Sequence, residues 1–227
     1  MGYTTDFVGH VDVAPRLNND EILYLTAFSR SRRGEREEGP YAVPGNPYAP
    51  DELPLRAPVA EGQPGYRCDW VPCWDGCCLT YNGAEKFYGS TAWLRYLIDH
   101  FLKPGAFAST LGGPQFAGFT FDHVLDGTVV GCRRDTKELI AIDVRANEVE
   151  EVVIRPGDSR YSDYPPLPYE EAIDRERDAL ARLRGRRSAP GLRRSRPSLL
   201  THGSSWSRRE GRAGADVVNG AYPCSRG

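Results

Sequence analysis

The chain has 227 residues, 40% of them apolar, with 24 glycines and 18 prolines, which fits one domain of ordinary size with extensions and excludes a large multidomain machine. Its formal charge of -2 is a cancellation: residues 184–227 hold ten arginines against Glu210 and Asp216, so the preceding chain is acidic and lacks the basic face that phosphate neutralisation needs. No run of about 18 apolar residues occurs, and Met1-Gly2-Tyr3-Thr4-Thr5-Asp6 has neither the segments of a signal peptide nor the myristoylation pattern, so a soluble cytoplasmic protein without membrane contact is expected.

Alternation of side chains predicts a first strand over about Tyr3 to Val13. A helix should follow from about Asn19 to Ser31, with Asn18 and Glu21 at capping-box spacing, Leu17 and Ile22 at staple spacing, and Ile22, Leu25 and Phe28 on one face. Between Gly34 and Gly65, prolines such as Pro40, Pro44, Pro47, Pro50, Pro54 and Pro58 break every ladder and helix, and a loop of that length is expected to be mobile. Tyr66 to Val71 and Cys77 to Tyr81 flank Pro72-Cys73-Trp74-Asp75-Gly76, whose Asp-Gly pair suits a tight hairpin. A second helix should be capped at Ser90 and run to Leu102, with Leu94, Leu97, Ile98 and Phe101 facing the sheet. Phe119 to Val124, Thr128 to Arg133, Leu139 to Val144 and Glu148 to Ile154 predict a meander, with turns at Asp126-Gly127, Asp135-Thr136-Lys137 and Arg145-Ala146-Asn147. Tyr169 to Leu183 predicts a charged helix with Glu171/Arg175 and Asp178/Arg182 pairs but a thin apolar stripe.

Together these elements predict an α+β fold: an antiparallel sheet of six to seven strands, two covering helices and a peripheral C-terminal helix. The expected organisation is a domain over 1–155 that includes the mobile loop 34–65, a linker and charged helix over 156–184, and a disordered Arg/Ser/Gly-rich tail over 185–227. Nucleic acid is expected at most as a weak contact of that tail.

Phosphate-binding glycine motifs are lacking, which argues against nucleotide hydrolysis. Cys68, Cys73, Cys77 and Cys78 cluster, but adjacent strand residues point to opposite faces, so Cys77 and Cys78 are not expected to share a metal. Cys73 with Cys77 across the turn, and Cys68 beside them, is the combination left open, and small buried thiols are the default. A thiol nucleophile would need an imidazole from His100 or His123. The expected binding surface joins Arg30, Arg32, Arg33, Trp74, Glu85, Lys86 and Tyr88, cations and aromatic rings that would clamp an anionic small molecule or a protein partner. No cofactor is expected, and a non-enzymatic binding module is preferred. The alternatives are a small transferase or hydrolase with Glu85 as general acid or base, assisted by Tyr88 or His100, and a zinc-stabilised hairpin protein.

The stretches Gly2-Tyr3-Thr4-Thr5-Asp6-Phe7, Ala27-Phe28-Ser29-Arg30-Ser31-Arg32-Arg33, Cys68-Asp69-Trp70-Val71-Pro72, Glu85-Lys86-Phe87-Tyr88 and Trp93-Leu94-Arg95-Tyr96-Leu97-Ile98 resemble a family of small uncharacterised proteins of bacteria and bacteriophages. The resemblance spans about residues 2–105. It implies a bacterial or phage cytoplasmic setting and marks Arg30 to Arg33 and Glu85 to Tyr88 as family features, with no catalytic role to carry over.

Overall fold

The computed structural model describes residues 2–187 apart from 47, 49–52, 55 and 164. It has two units: one ending at Pro166, and one beginning at Leu167. The expected tail lies outside the described residues from residue 188 onward. Among the described residues, no helix is long and apolar enough to cross a membrane.

The first unit is built on a six-stranded sheet, antiparallel throughout, in the order β2-β3-β1-β4-β5-β6. Its strands are β1 Thr5–Ala14, β2 Trp70–Pro72, β3 Cys78–Tyr81, β4 Val124–Arg133, β5 Leu139–Arg145 and β6 Glu148–Arg155. Two helices, α1 Asn19–Arg30 and α2 Ser90–Leu97, pack on the sheet. This is the expected α+β architecture at the lower end of the expected strand number.

Side-chain alternation divides the sheet into two chemically different faces. On the helix side, Val11, Val13, Leu79, Leu125, Val129, Ile142 and Val144 are 0–3% exposed. They meet Leu25 and Phe28 of α1 and Leu94 and Leu97 of α2 in one apolar cluster. Each such side chain stabilises by about 1.5–3 kcal/mol when removed from water. The opposite face carries Val8, His10 and Asp12 of β1, all exposed.

The capping box at α1 forms as predicted, with Asn18 accepting from the amides of Asp20 and Glu21 and Glu21 returning a bond to the Asn18 amide. The inward face is Tyr24, Leu25 and Phe28, whereas Ile22 is only half-buried. At α2 the expected cap moves by one residue. Gly89, at φ +67, is the N-cap, and Ser90 is the first helical residue, its carbonyl accepting the Trp70 indole at 2.8 Å. The helix then widens over Ile98–Leu102, where the Lys103 amide reaches the Ile98 carbonyl at 3.1 Å.

Two sequence expectations are corrected in the meander. Phe119 to His123 is not a strand, because Phe121 stands at φ +50 and the Thr120 amide donates to the Glu21 carboxylate instead of a neighbouring strand. Nor is Asp126-Gly127 a turn: both residues lie within β4, opposite Asp12 and Val11. Gly127 is glycine because the strands close there at φ +148, and a Cβ would sit 2.8 Å from the His10 carbonyl oxygen.

The proline-rich segment is joined to the fold at its base. Gly34 bridges Val59, the Arg33 amide donates to the Tyr66 carbonyl at 2.8 Å, and the Ala60 amide returns to Arg33 at 3.1 Å. Tyr41 from this segment packs on Phe101 with ring centroids 5.3 Å apart.

The second unit contains α3, Pro168–Arg187, which starts close to the expected position and runs four residues past its expected end. Its first turn is capped by the Glu170 carboxylate, which accepts from the Leu167 amide at 2.7 Å. The Arg175 guanidinium donates to the Glu171 carbonyl, and Arg177 pairs with Asp174 at 3.4 Å.

Candidate metal centre

The chemistry-bearing cluster lies in the turn between β2 and β3. The Cys73 amide donates to the Cys78 carbonyl at 2.9 Å, and the Gly76 amide to the Cys73 carbonyl at 3.1 Å, so the chain reverses within a few residues. Gly76 is required twice over: its φ is +70, and a Cβ would lie 2.4 Å from the Leu17 carbonyl oxygen. The Leu17 amide donates to the Gly76 carbonyl and the Val13 amide to that of Cys77, which fastens the tip to the corner between β1 and α1.

That turn gathers the Sγ atoms of Cys73, Cys77 and Cys78 within 4.8 Å of one another. The sulfurs of Cys73 and Cys77 are 3.5 Å apart. Asp75 lies beside the group, next to Cys73. Its Oδ1 accepts from the Cys73 thiol at 3.0 Å, and its Oδ2 accepts from Arg16 at 2.9 Å. Hydrogen bonds from the Cys73 and Cys77 thiols hold the Asp75 carboxyl down at about 2, with Arg16 adding to the effect.

The expectation that Cys77 and Cys78 point to opposite faces is therefore corrected. Only Cys78 is in the strand; Cys77 belongs to the turn, where Gly76 has already rotated the backbone and strand alternation no longer applies. Cys68 is also removed from the expected set. It is fully buried in the core beside Trp70, and burial pushes its thiol up to about 12.

Three converging thiols, with the Asp75 carboxylate beside Cys73, are donors suited to a soft divalent cation. A tetrahedron with zinc–sulfur bonds of about 2.3 Å has sulfur–sulfur edges of about 3.8 Å. The spacing in the turn brackets that edge, so binding needs deprotonation of the thiols and a small contraction. Arg16, already on the far oxygen of Asp75, offsets part of the negative charge of the thiolates.

Comparison of the chain with protein-family models, with curated proteins and with solved structures finds no match. The functional reading rests on the geometry.

The surface expected from sequence is distributed over separate places. Arg30 lies over the Tyr48 ring at 4.6 Å, and Arg32 over Tyr66 at 5.4 Å while donating to the Pro54 carbonyl. Arg33 is 1% exposed, with its guanidinium 4.3 Å from the Phe28 ring and donating to Ser31 and the Ala42 carbonyl, so it is an interior residue. Lys86 and Tyr88 do come together, beside Gly2, with the Tyr88 ring 4.8 Å from Tyr3; Glu85 is exposed in the same turn. Trp74, 70% exposed, is in the hairpin turn whose Cys77 carbonyl accepts from the Val13 amide of β1. Ten residues of extended chain, roughly 33 Å, separate that end of β1 from Tyr3.

The residues proposed for acid–base chemistry are divided as well. Tyr88 precedes α2 and His100 lies in the widened turn that follows it, a separation of roughly 15 Å along a helix axis. His100 stacks on Tyr96 at 3.8 Å, and its Nδ1 lies 2.5 Å from the Tyr41 hydroxyl; burial lowers its pKa and keeps it neutral.

His123 pairs with a residue the sequence presented only as a helix cap. Its Nε2 is 3.1 Å from Oε1 of Glu21, and both side chains are at most 1% exposed. Its Nδ1 lies 2.7 Å from the Pro15 carbonyl, which can only accept. Nδ1 therefore donates to that carbonyl, while Nε2 lies between Glu21 and the Thr120 hydroxyl, 3.2 Å away; the raised His123 and lowered Glu21 pKa values favour an imidazolium facing a carboxylate. Thr120 supplies two further donors to Glu21, from its amide and its hydroxyl. This pair is structural; every partner is already engaged.

Proposed function

We propose that the protein is a metal-stabilised binding module in which Cys73, Cys77 and Cys78 hold one zinc ion, with Asp75 as the fourth donor. The carrying observation is the convergence of three sulfurs within 4.8 Å in a turn that is fixed to the β1–α1 corner. A closed four-donor set is the arrangement of structural zinc, whereas catalytic zinc keeps a position open. The metal's role is to hold the hairpin tip, and with it the 70% exposed Trp74, in one orientation. An indole presented on a rigid turn is a contact residue for a partner, since aromatic anchors dominate interface energetics.

Cobalt titration of the reduced protein tests this reading. One equivalent of Co(II) should produce thiolate-to-metal charge transfer with the visible bands of a tetrahedral site, and zinc should displace it. Cys73→Ser, Cys77→Ser and Cys78→Ser should each weaken cobalt affinity by at least about tenfold, because changes outside the ligand set already cost 10–100-fold. Cys68→Ser should leave the spectrum unchanged. A featureless spectrum with all thiols reduced would remove the metal from the account.

A further inference from the structure

We propose that the outer face of the sheet binds a basic amphipathic helix of a partner protein, laid along the row Val8, Val130, Ala141 and Val152. This inference is independent of the metal. The register places these four residues side by side on β1, β4, β5 and β6: Val8 opposite Val130, Val130 opposite Ala141, and Ala141 opposite Val152. They point away from the helix-covered core, whose residues alternate with them. Val8 is 72% exposed and Val152 45% exposed, with Val130 and Ala141 half-buried between them, so the row presents an apolar stripe to water that is fullest at its ends.

The spacing selects a helix. Neighbouring strands lie about 4.8 Å apart, so the stripe offers one apolar side chain every 4.8 Å, close to the 5.4 Å pitch at which one helix face presents its residues. Because the stripe crosses the strands, an added edge strand cannot follow it.

Charge selects the partner's sign. One residue pair along the strands, His10, Thr128, Asp143 and Glu150 form the adjacent row, and beyond them Asp12 stands opposite Asp126. Four carboxylates therefore flank the stripe on one side, with Arg145 paired to Asp143 at 2.8 Å. A second copy of this chain would set these carboxylates against their equivalents; Lys and Arg on the flank of a helix complement them.

The test uses the full-length reduced chain and a fluorescein-labelled helix of about 18 residues, long enough to be helical alone. Leucines occupy i, i+3, i+4 and i+7, with lysines on the flanks. A scrambled peptide of equal composition and a Leu/Glu helix serve as comparisons. Polarisation should show the Leu/Lys helix binding at least tenfold more tightly than either. Val8→Asp combined with Val152→Asp should remove that preference, and Asp126→Lys with Glu150→Lys should weaken binding and flatten its salt dependence. All four positions are at the surface, and an unchanged urea midpoint would establish that the variants are folded. Equal binding of the scrambled peptide, no binding of the Leu/Lys helix, variants without effect, or sedimentation showing copies of the chain paired through this face would each overturn the proposal.

Discussion

At Glu21 one carboxylate both caps α1 and neutralises a buried imidazolium, and this sets a pH dependence. Burial alone would raise the Glu21 pKa, but hydrogen bonds from His123, Thr120 and Asn18 outweigh it and leave it lowered from 4.5. For His123, burial opposes the charge, while Glu21, the Pro15 carbonyl and Asp122 leave its pKa raised from 6.5. The sign follows from linkage. The raised histidine contributes stability fully below its unfolded pKa and loses it as pH rises through the folded value. The depressed glutamate contributes above its unfolded pKa and loses it as pH falls through its folded value. The pair's contribution is therefore greatest between about 4.5 and 6.5 and declines on both sides. Glu21→Gln keeps a side chain able to complete the capping box, so it isolates the charge. It should cost about 3–5 kcal/mol, as for other buried pairs with one partner removed. Urea unfolding at a series of pH values should also show a flatter alkaline limb for this variant; an unchanged pH profile would show that the pair is not charged.

At the level of elements, periodicity and capping made most of the fold legible. The Asn18/Glu21 box, the Leu94, Leu97, Ile98 and Phe101 stripe and the Asp75-Gly76 turn all depend on neighbours close in sequence, and all form. Asp126-Gly127 misleads because its glycine answers a distant need, the close approach of β1, and not a reversal of the chain. The two explanations differ in their prediction. Gly83 has φ +79 with open space around its Cβ position, whereas Gly127 has φ +148 with the β1 backbone 2.8 Å away. Both alanine variants incur positive-φ strain, but Gly127→Ala must also separate two strands. It should lose about 1–3 kcal/mol more than Gly83→Ala in urea unfolding, the range of overpacking costs. Equal losses would contradict the close-approach account. The cysteine cluster is half legible in sequence: its cysteines stand out, but strand alternation ends at Cys78 and does not reach Cys77. Asp75 is legible as a turn residue, whereas its contact with Cys73 depends on which way its carboxylate points.

For the whole molecule, the apolar core between helices and sheet includes none of Cys73, Cys77 and Cys78, so the proposed zinc would be a local fastening. A chain without metal should stay folded. Zinc at a hundredfold excess over its dissociation constant should stabilise by about 2.7 kcal/mol, and a chelator should lower the midpoint of thermal unfolding measured in parallel. No gain in midpoint would mean that zinc does not bind the folded chain in preference to the unfolded one, and would contradict the metal proposal. Sequence could not assemble the distributed cations and rings of Arg30, Arg32, Trp74, Lys86 and Tyr88, because their separation is set by where β1 begins and ends, not by local pattern. The most direct test of the central claim is native mass spectrometry of the chain purified under reducing conditions with zinc available, repeated after denaturation. The account predicts one zinc per chain, lost on denaturation and absent from a Cys73→Ser, Cys77→Ser, Cys78→Ser triple variant. A bare chain, or one short of a pair of hydrogens because Cys73 and Cys77 have formed a disulfide, would contradict it.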